Sequence, residues 1–319
     1  MPHVSIIVLT YNPDPAKLRA TLSAAVAQQG VEVEIIISDD GSAQKDFGFL
    51  PAFFAAHHFC NWQLVENPEN RGTVHNCFAG VSAASGEFVF LTSPGDVLFC
   101  NTTIQQFYTF AKAQNAQLCF GNAVRYCTEN GNVRRTNNYT IPAAPDVYGK
   151  GTSLKSQKTA FFGDNFIIGA CYFRSRDFAA AYFKKLLDVC KFMEDTPSTM
   201  FALADGIPIC YYDRNIVFYE DGTGVSTGAK EKWRKILHAD FCNALELLHT
   251  LHPTDSWVQI ALKNARENSR KKRILWRFLH HPVISFRMLL QKKLVKPKQI
   301  FCDPADLQRL ENLLNQTQA

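Results

Sequence analysis

The chain has 319 residues, of which 46% are hydrophobic and 20% charged, and this balance excludes a disordered protein. No apolar run approaches the roughly 20 residues that span a bilayer. The formal net charge of +5 is a modest excess. The ten cysteines include no CxxC pair and no metal-ligand spacing, so we expect buried free thiols. No signal peptide is recognised at the start, and we therefore expect a cytoplasmic protein.

Strand and helix patterns alternate four times in about the first 115 residues. This alternation predicts an α/β fold, in which a mostly parallel, Rossmann-like sheet is flanked by helices on both faces. Short apolar runs predict the strands, and each is followed by a helical pattern, the last one with Asn101 as its expected N-cap. The predicted strands are 4–9, 33–38, 62–66 and 88–91, and the predicted helices are 15–26, 44–57, 73–84 and 101–111.

Each predicted strand ends in polar residues: Thr10, the pair Asp39 and Asp40, Arg71, and Asp96. The carboxyl ends of parallel strands share one edge of the sheet, so we expect one common site there. The first loop, TYNPDP, has neither GxGxxG nor a Walker lysine, which excludes the usual pyrophosphate loop. A carboxylate pair suits a base or ribose, whereas Asp96 can reach a diphosphate only through a divalent cation. We therefore expect a nucleotide with its phosphates near the fourth strand.

The middle of the chain predicts further elements. Residues 118–127 predict a strand, and the chain is expected to turn back from Val133 as the second strand of a hairpin. Residues 178–187 predict a helix. Residues 140–165 are expected to be a long irregular connection, either a substrate lid or a plain surface loop. Glu194 and Asp195 precede an apolar helix, and a helix dipole alone favours acids at that place.

The segments VSIIVLTYNPD, IIISDDGS and NPENRGTVHNCFAGVSAASGEFVFLTSPGD resemble glycosyltransferase family 2. The resemblance covers roughly residues 3–227. It implies the type A glycosyltransferase fold and inverting transfer of a sugar from a nucleotide-diphosphate donor, commonly a UDP-sugar. The expected transferred group is a hexosyl or N-acetylhexosaminyl sugar.

The resemblance also implies roles for single residues. The segment MEDTPSTM looks like the family's Glu-Asp motif, which makes Asp195 the general base and Glu194 its orienting neighbour or an acceptor-binding group. The resemblance places a set of strand-end residues at the nucleotide. These are Thr10, Tyr11, Asn12, Asp39, Asp40, Arg71 and Ser93.

The chain departs from the family pattern after the fourth strand. The family usually reads Asp-x-Asp-Asp where this chain reads Ser93-Pro94-Gly95-Asp96, so Asp96 alone remains to hold Mg²⁺ or Mn²⁺. The lost acids favour an alternative, a non-catalytic nucleotide-sugar-binding or scaffold protein of the same fold. A nucleotidyltransferase is a third reading, but it would need a Gly-rich, Lys-bearing first loop.

A second departure is Glu220, which stands where the family often has arginine, in a segment that closes over the donor. This change removes a phosphate contact. Three nearby basic residues are candidates to compensate for it. They are Lys230, Lys232 and Arg234.

Beyond a catalytic domain at residues 1–227, residues 228–319 predict a helical, basic extension. Residues 263–298 hold twelve Lys or Arg against one acid, Glu267, interleaved with Trp and Phe. That pattern suits a membrane surface, with a solvated basic face as the alternative; no nucleic-acid motif is recognised. Residues 304–315 predict a short helix, a candidate contact for a homo-oligomer.

These features predict an enzyme bound peripherally at the inner face of the membrane. The resemblance implies that the acceptor is a saccharide or a lipid-linked saccharide in bacterial surface polysaccharide or lipooligosaccharide assembly.

Overall fold

The computed structural model describes residues 2–129, 132–136, 141–164, 167–222, 231–293 and 302–315. Nine strands of these residues form one sheet. In chain order they are β1 Val4–Thr10, β2 Val33–Asp39, β3 Trp62–Glu66, β4 Phe88–Thr92, β5 Val97–Leu98, β6 Leu118–Glu129, β7 Asn132–Arg135, β8 Tyr172–Ser175 and β9 Cys210–Glu220.

Helices of the described residues cover both faces of the sheet and form the C-terminal part. The first seven are α1 Pro15–Val26, α2 Leu50–Ala56, α3 Thr73–Ala83, α4 Thr103–Gln114, α5 Leu154–Gly163, α6 Arg176–Leu186 and α7 Asp195–Ala204. The C-terminal five are α8 Glu231–Leu251, α9 Ser256–Ala265, α10 Arg270–His280, α11 Pro282–Lys293 and α12 Pro304–Asn315. Two short 3₁₀ helices are Pro145–Tyr148 and Gly169–Cys171.

The sheet order is β3-β2-β1-β4-β8-β6-β9-β5, with β7 beside β6. The pairings of β1 with β2 and β4, and of β2 with β3, are parallel, which confirms the predicted parallel sheet. β8 runs antiparallel between β4 and β6, and β9 is parallel to β6. The carboxyl ends of β1 to β4, β6 and β9 therefore lie along one edge.

The two faces of the sheet bury separate apolar layers. Ile6 and Ile7 are both fully buried, yet they belong to different clusters because neighbouring strand residues point to opposite faces. Burial of each such side chain stabilises the fold by about 1.5–3 kcal/mol.

Three local predictions need comment. The helix expected over 44–57 is shorter, Leu50–Ala56. The Asn101 cap is wrong: α4 begins at Thr103, and the Asn101 side chain instead accepts a hydrogen bond from Arg309 at 3.1 Å. The hairpin return from Val133 is confirmed by the antiparallel β6–β7 pairing. The sequence also predicts a turn over 130–132, of which 130 and 131 lie outside the described residues.

The irregular connection expected over 140–165 is also wrong. The described residues 141–164 contain a 3₁₀ helix and α5, whose first turn is capped by the Ser153 hydroxyl. Gln157, Ala160 and Phe161 are buried at helical spacing. The Gln157 amide also bonds both backbone groups of Ile209, at 3.1 and 2.8 Å, so this segment is packed helix.

The C-terminal helices share a hydrophobic core with the sheet. Leu245 and Leu248 of α8 and Leu310 of α12 are fully buried in it. The Arg309 guanidinium donates to the carbonyls of Leu98 and Phe99 at 3.1 and 2.7 Å, which docks α12 beside β5. The domain division at 227/228 stays a prediction. No helix in the part of the chain that the structure describes has the length and apolarity to cross a bilayer.

Candidate active site

Asp39 organises the loops that follow β1 and β2. Its side chain is fully buried; Oδ1 accepts the Thr10 hydroxyl at 2.9 Å and Oδ2 accepts the backbone N–H of Ser42 at 2.8 Å. Thr10 lies opposite Asp39 in the parallel β1–β2 register, so strand pairing sets this contact. The structure therefore brings these two predicted residues together at the edge of the sheet.

Asp40 holds the loop between β3 and α3. Its buried carboxylate accepts the backbone N–H groups of Arg71 at 2.9 Å and Gly72 at 2.8 Å. Burial raises the pKa of Asp40, and the two N–H groups oppose the rise. Gly72 has a φ of +94°, and a Cβ there would lie 2.5 Å from the carbonyl oxygen of Lys191. The exposed Arg71 side chain lines a groove of about 450 Å³ with His75 and Lys191.

The other predicted nucleotide-binding residues lie at the same edge. Asn12, with a φ of +46°, donates its N–H to the Ser42 hydroxyl at 2.6 Å and accepts the N–H of Gln44 at 2.9 Å. Asn12 therefore ties the first loop to the second. Tyr11 is 53% exposed and Ser93 is partly exposed, so both offer surface to a ligand.

Asp96 lies beyond the end of β4 and is only 7% exposed. Its Oδ1 accepts the N–H of Glu220 at 3.2 Å, and its carbonyl accepts the Thr21 hydroxyl at 2.8 Å. Burial raises the pKa of Asp96 to about 8; the Glu220 charge adds to the rise and the Lys17 charge opposes it. Burial therefore disfavours the ionised form of this carboxyl group.

As arranged, these residues do not fit the predicted Mg²⁺ or Mn²⁺. Hard divalent cations take several oxygen ligands and favour ionised carboxylates. The second carboxylate nearby, that of Glu220, is bound by the ammonium group of Lys17 at 2.7 Å. Across the described ranges, no three His, Cys, Asp or Glu side chains lie close enough together to hold a metal ion. The cation at Asp96 stays a prediction of the family resemblance.

Glu194 and Asp195 stand at the N-terminal end of α7. A Cβ built on Gly169 would lie 3.3 Å from Oε1 of Glu194 and 3.3 Å from Oδ2 of Asp195, so both carboxyl groups meet at that glycine. Burial, and then the charge of Asp195, raises the pKa of Glu194 to about 8, and burial also raises the pKa of Asp195. Because two adjacent, half-buried carboxyl groups resist double ionisation, the pair favours a state that keeps one proton between them.

Arg174 is a fully buried cation beside this pair, and the sequence analysis missed it. Its guanidinium lies 4.3 Å from the Tyr172 ring and 5.4 Å from the Phe183 ring. Within the described residues its three nitrogens have no hydrogen-bond partner. Its charge lowers the pKa of both Glu194 and Asp195, so the carboxyl pair balances it electrostatically. An arginine inside the apolar strand CYFRS is the signal that could have revealed it.

The 3₁₀ helix Gly169–Cys171 connects the carboxyl pair with the end of β4. Its first residue contacts Glu194 and Asp195. Its last residue lies near Asp96, whose charge adds to burial in raising the pKa of the Cys171 thiol. The structure therefore gathers the predicted base and the predicted cation ligand around one short segment.

Asp240 of α8 is a second residue that the sequence analysis missed. Its buried carboxylate oxygen Oδ2 accepts the backbone N–H groups of Lys191, Phe192 and Met193 at 3.0, 2.6 and 3.1 Å. These three residues lead directly into Glu194. An acid on the apolar stripe of α8 was the available signal.

Asn76 of α3 is a third residue that the sequence analysis missed. It is buried, accepts the Ser38 hydroxyl at 2.7 Å and donates to the carbonyls of Ser38 and Thr10 at 2.9 and 3.3 Å. It thereby ties the ends of β1 and β2 to α3. Its position between the buried Val74 and Cys77 marked it as a polar residue on an apolar face.

Residues 5–183, more than half of the chain, match the family model described as Glycosyl transferase family 2. The chain belongs to glycosyl transferase family 2. It is therefore a glycosyltransferase, and the predicted fold class is confirmed.

Among curated relatives of this family 2 enzyme is the succinoglycan biosynthesis protein ExoO of Rhizobium meliloti (strain 1021). The two are 33% identical over 98 residues, which is 31% of this chain and 27% of ExoO. The match thus spans about a quarter of the relative's length.

Solved structures share the fold at low sequence identity. Residues 1–349 of S. aureus TarS superpose with a TM-score of 0.56 at 13% identity, covering 99% of this chain and 91% of that one. The mannosyltransferase PcManGT from Pyrobaculum calidifontis, solved with GDP-Man and Mn²⁺, gives 0.53 at 14% identity over 99% and 87%. TarS 1–349 in complex with UDP-GlcNAc gives 0.51 at 13% identity over 99% and 91%.

Proposed function

We propose that this family 2 enzyme transfers a hexosyl or N-acetylhexosaminyl group, with inversion, from a nucleotide-diphosphate donor to a saccharide or lipid-linked saccharide. The observation that carries the proposal is the half-buried Glu194–Asp195 pair, joined through Gly169–Cys171 to the strand edge that holds the predicted nucleotide site. TarS has been solved with UDP-GlcNAc and PcManGT with GDP-Man, which supports a nucleoside diphosphate sugar as the donor class. UDP-sugars are our first choice.

In this proposal Asp195 is the general base. It accepts the proton of the acceptor hydroxyl as that oxygen forms a bond to the anomeric carbon. The bond from the anomeric carbon to the diphosphate oxygen breaks on the opposite face, and its electron pair leaves with the nucleoside diphosphate. Glu194, whose raised pKa favours its protonated form, keeps the pair from carrying two charges and can donate a hydrogen bond to the acceptor. Arg174 stabilises the ionised state of Asp195.

The place of this reaction is part of the proposal. The relative ExoO is named for succinoglycan biosynthesis, which supports surface polysaccharide assembly as the process served. A cytoplasmic enzyme at the inner face of the membrane would meet both its nucleotide-linked donor and a lipid-linked acceptor there.

Release of nucleoside diphosphate from UDP-, TDP- and GDP-sugars, with and without saccharide acceptors, tests the reaction. Asp195→Asn should lower kcat by about 10²–10⁴-fold, because proton transfer contributes that much. The affinity of the Asp195→Asn variant for UDP, measured by calorimetry, should stay at the wild-type value. NMR of the product should show an anomeric configuration opposite to that of the donor.

The matched control is Asp177→Asn, which changes an exposed aspartate at the start of α6 and should leave kcat at the wild-type value. Full transfer by Asp195→Asn would refute the base assignment. Retained configuration would refute inversion. UDP binding without turnover of any donor would favour the non-catalytic alternative.

We also propose that α10 and α11 bind an anionic membrane surface. Leu275, Leu279, Val283 and Phe286 expose 59% to 66% of their surface, while α10 contains five Lys or Arg and no acid. Exposed apolar side chains next to a concentrated positive charge fit a bilayer interface with anionic headgroups. Trp276 faces inward instead, donating to the Ile260 carbonyl at 3.3 Å.

Flotation with vesicles of phosphatidylglycerol or of phosphatidylcholine alone tests this surface. The wild type should bind the anionic vesicles and lose binding as salt rises. Leu275→Glu/Leu279→Glu should abolish binding, whereas Leu251→Glu, at another exposed leucine that ends α8, should not. Equal binding by both variants would refute the membrane proposal without affecting the catalytic one.

A further inference from the structure

The loop after β4 is shaped for a glycine at position 95. Gly95 has a φ of +100°, which side-chain-bearing residues rarely adopt. A Cβ at this glycine would lie 2.5 Å from Oε2 of Glu220, at the carboxyl end of β9. The carboxylate of Glu220 therefore fills the space next to Gly95, where the family places one of its motif acids.

The side chain that lies beside Gly95 and Glu220 is a lysine rather than a second acid. Lys17 lies in the first turn of α1, and its ammonium nitrogen contacts both carboxylate oxygens of Glu220, at 2.7 and 2.8 Å. The Lys17 side chain is 31% exposed and that of Glu220 only 7%, so a buried glutamate holds a lysine that is partly open to solvent. The lysine stem passes Gly95, with its Cδ 3.6 Å from the position of an added Cβ.

The surrounding contacts fix this arrangement. The Thr21 hydroxyl of α1 accepts the N–H of Gly95 at 3.1 Å and donates to the carbonyl of Asp96 at 2.8 Å. Asp96 in turn accepts the N–H of Glu220 at 3.2 Å. Helix α1, the loop after β4 and the end of β9 thus form one hydrogen-bonded unit around the ammonium group.

We propose that Lys17 binds the diphosphate of the donor, and that donor binding by this enzyme needs no divalent cation. An ammonium group has three N–H donors, so Lys17 can contact a phosphate oxygen while Glu220 holds it in place. A glutamate that positions a phosphate-binding lysine in this way is also the arrangement of protein kinases. During transfer, the positive charge of Lys17 faces the charge that develops on the leaving diphosphate. This inference rests on the proposed function.

Calorimetric titration of the full chain with UDP and with uridine tests the assignment. Wild-type affinity for UDP should be the same in EDTA as with Mg²⁺ or Mn²⁺. Lys17→Met should weaken UDP binding by at least about tenfold, since a charge-assisted hydrogen bond is lost. Uridine, which has no phosphate, should bind both proteins equally. Lys45→Met, at a surface lysine paired with Glu66, is the matched control.

Because Lys17→Met leaves a buried carboxylate without its cation, Lys17→Met/Glu220→Gln is measured as well. This double variant removes both charges and should show the same loss of UDP affinity. UDP binding that EDTA abolishes and Mn²⁺ restores would overturn the inference, as would unchanged affinity in both variants. Failure to bind UDP, TDP and GDP under every condition would overturn the proposed function itself, and the Lys17 assignment with it.

Discussion

Asp240, on the C-terminal helix α8, accepts the backbone N–H of Phe192 at 2.6 Å and so holds the segment that leads to the carboxyl pair. The same oxygen accepts the N–H groups of Lys191 and Met193. Asp240→Ala leaves three N–H groups without this acceptor, so we expect the free energy of unfolding to fall by about 2–4 kcal/mol and kcat to fall as well. Urea denaturation and turnover assays measure the two effects.

Glu246→Gln is the control for this helix, because Glu246 is exposed and pairs only with the surface residue Arg266 among the contacts described. It should change the unfolding free energy by less than about 0.5 kcal/mol. Wild-type stability and activity in Asp240→Ala would show that α8 does not support the site.

The buried Arg174 should set the pH at which the enzyme becomes active. In the proposed mechanism Asp195 must be ionised to act as the base, so kcat/KM should rise with pH through the apparent pKa of the carboxyl pair. Arg174 lowers the pKa of both carboxyls. Arg174→Leu should therefore move the rising limb to higher pH, by about one unit or more. Arg176→Leu, at a surface arginine, should not move it; an unmoved limb in Arg174→Leu would contradict the electrostatic role.

Ionisation of Glu194 at high pH should lower the free energy of unfolding. The pKa of Glu194 lies near 8 in the folded protein, above the ordinary value of 4.5, so the folded state holds the proton more tightly than the unfolded state. Stability from this group is fully present below pH 4.5 and is lost as pH rises to about 8. Glu194→Gln mimics the protonated form. Its unfolding free energy relative to wild type should be larger at pH 9 than at pH 6 by at least about 1 kcal/mol, by urea denaturation; a constant difference would argue against a raised pKa.

Gly95→Ala should destabilise the loop after β4 by two separate effects. The φ of +100° strains any side-chain-bearing residue, and the new methyl group would collide with Glu220. Gly206→Ala isolates the first effect, because Gly206 has a φ of +90° but nothing within 4 Å of its added Cβ. We expect Gly95→Ala to lower the melting temperature more than Gly206→Ala, with a difference of about 1–3 kcal/mol in unfolding free energy. Equal losses would mean that the loop can shift away from Glu220.

The local sequence was enough for the parallel half of the fold. The runs around Ile6, Ile36 and Phe90 are buried on both faces, and such runs have one common structural solution, a strand covered by helices. Segments that mix polar and apolar residues were harder to assign to a helix or a loop. Residues 154–163 are polar on one side and apolar on the other. Only the structure shows that they form a helix, with Phe161 packed in the core.

The sequence by itself determined the strand ends and hence most of the candidate site, because side chains that follow parallel strands must share one edge. It also determined that an acid pair stands at the start of α7. Only the tertiary structure decided which charges meet. Lys17 pairs with Glu220, and the Asp240 carboxylate binds the loop at 191–193. The charge of Arg174 acts on Glu194 without a direct contact. Each of these relationships joins separate segments of the chain. Periodicity reports the burial of a segment, whereas the pairing of buried charges depends on how separate segments pack, and no local pattern encodes that.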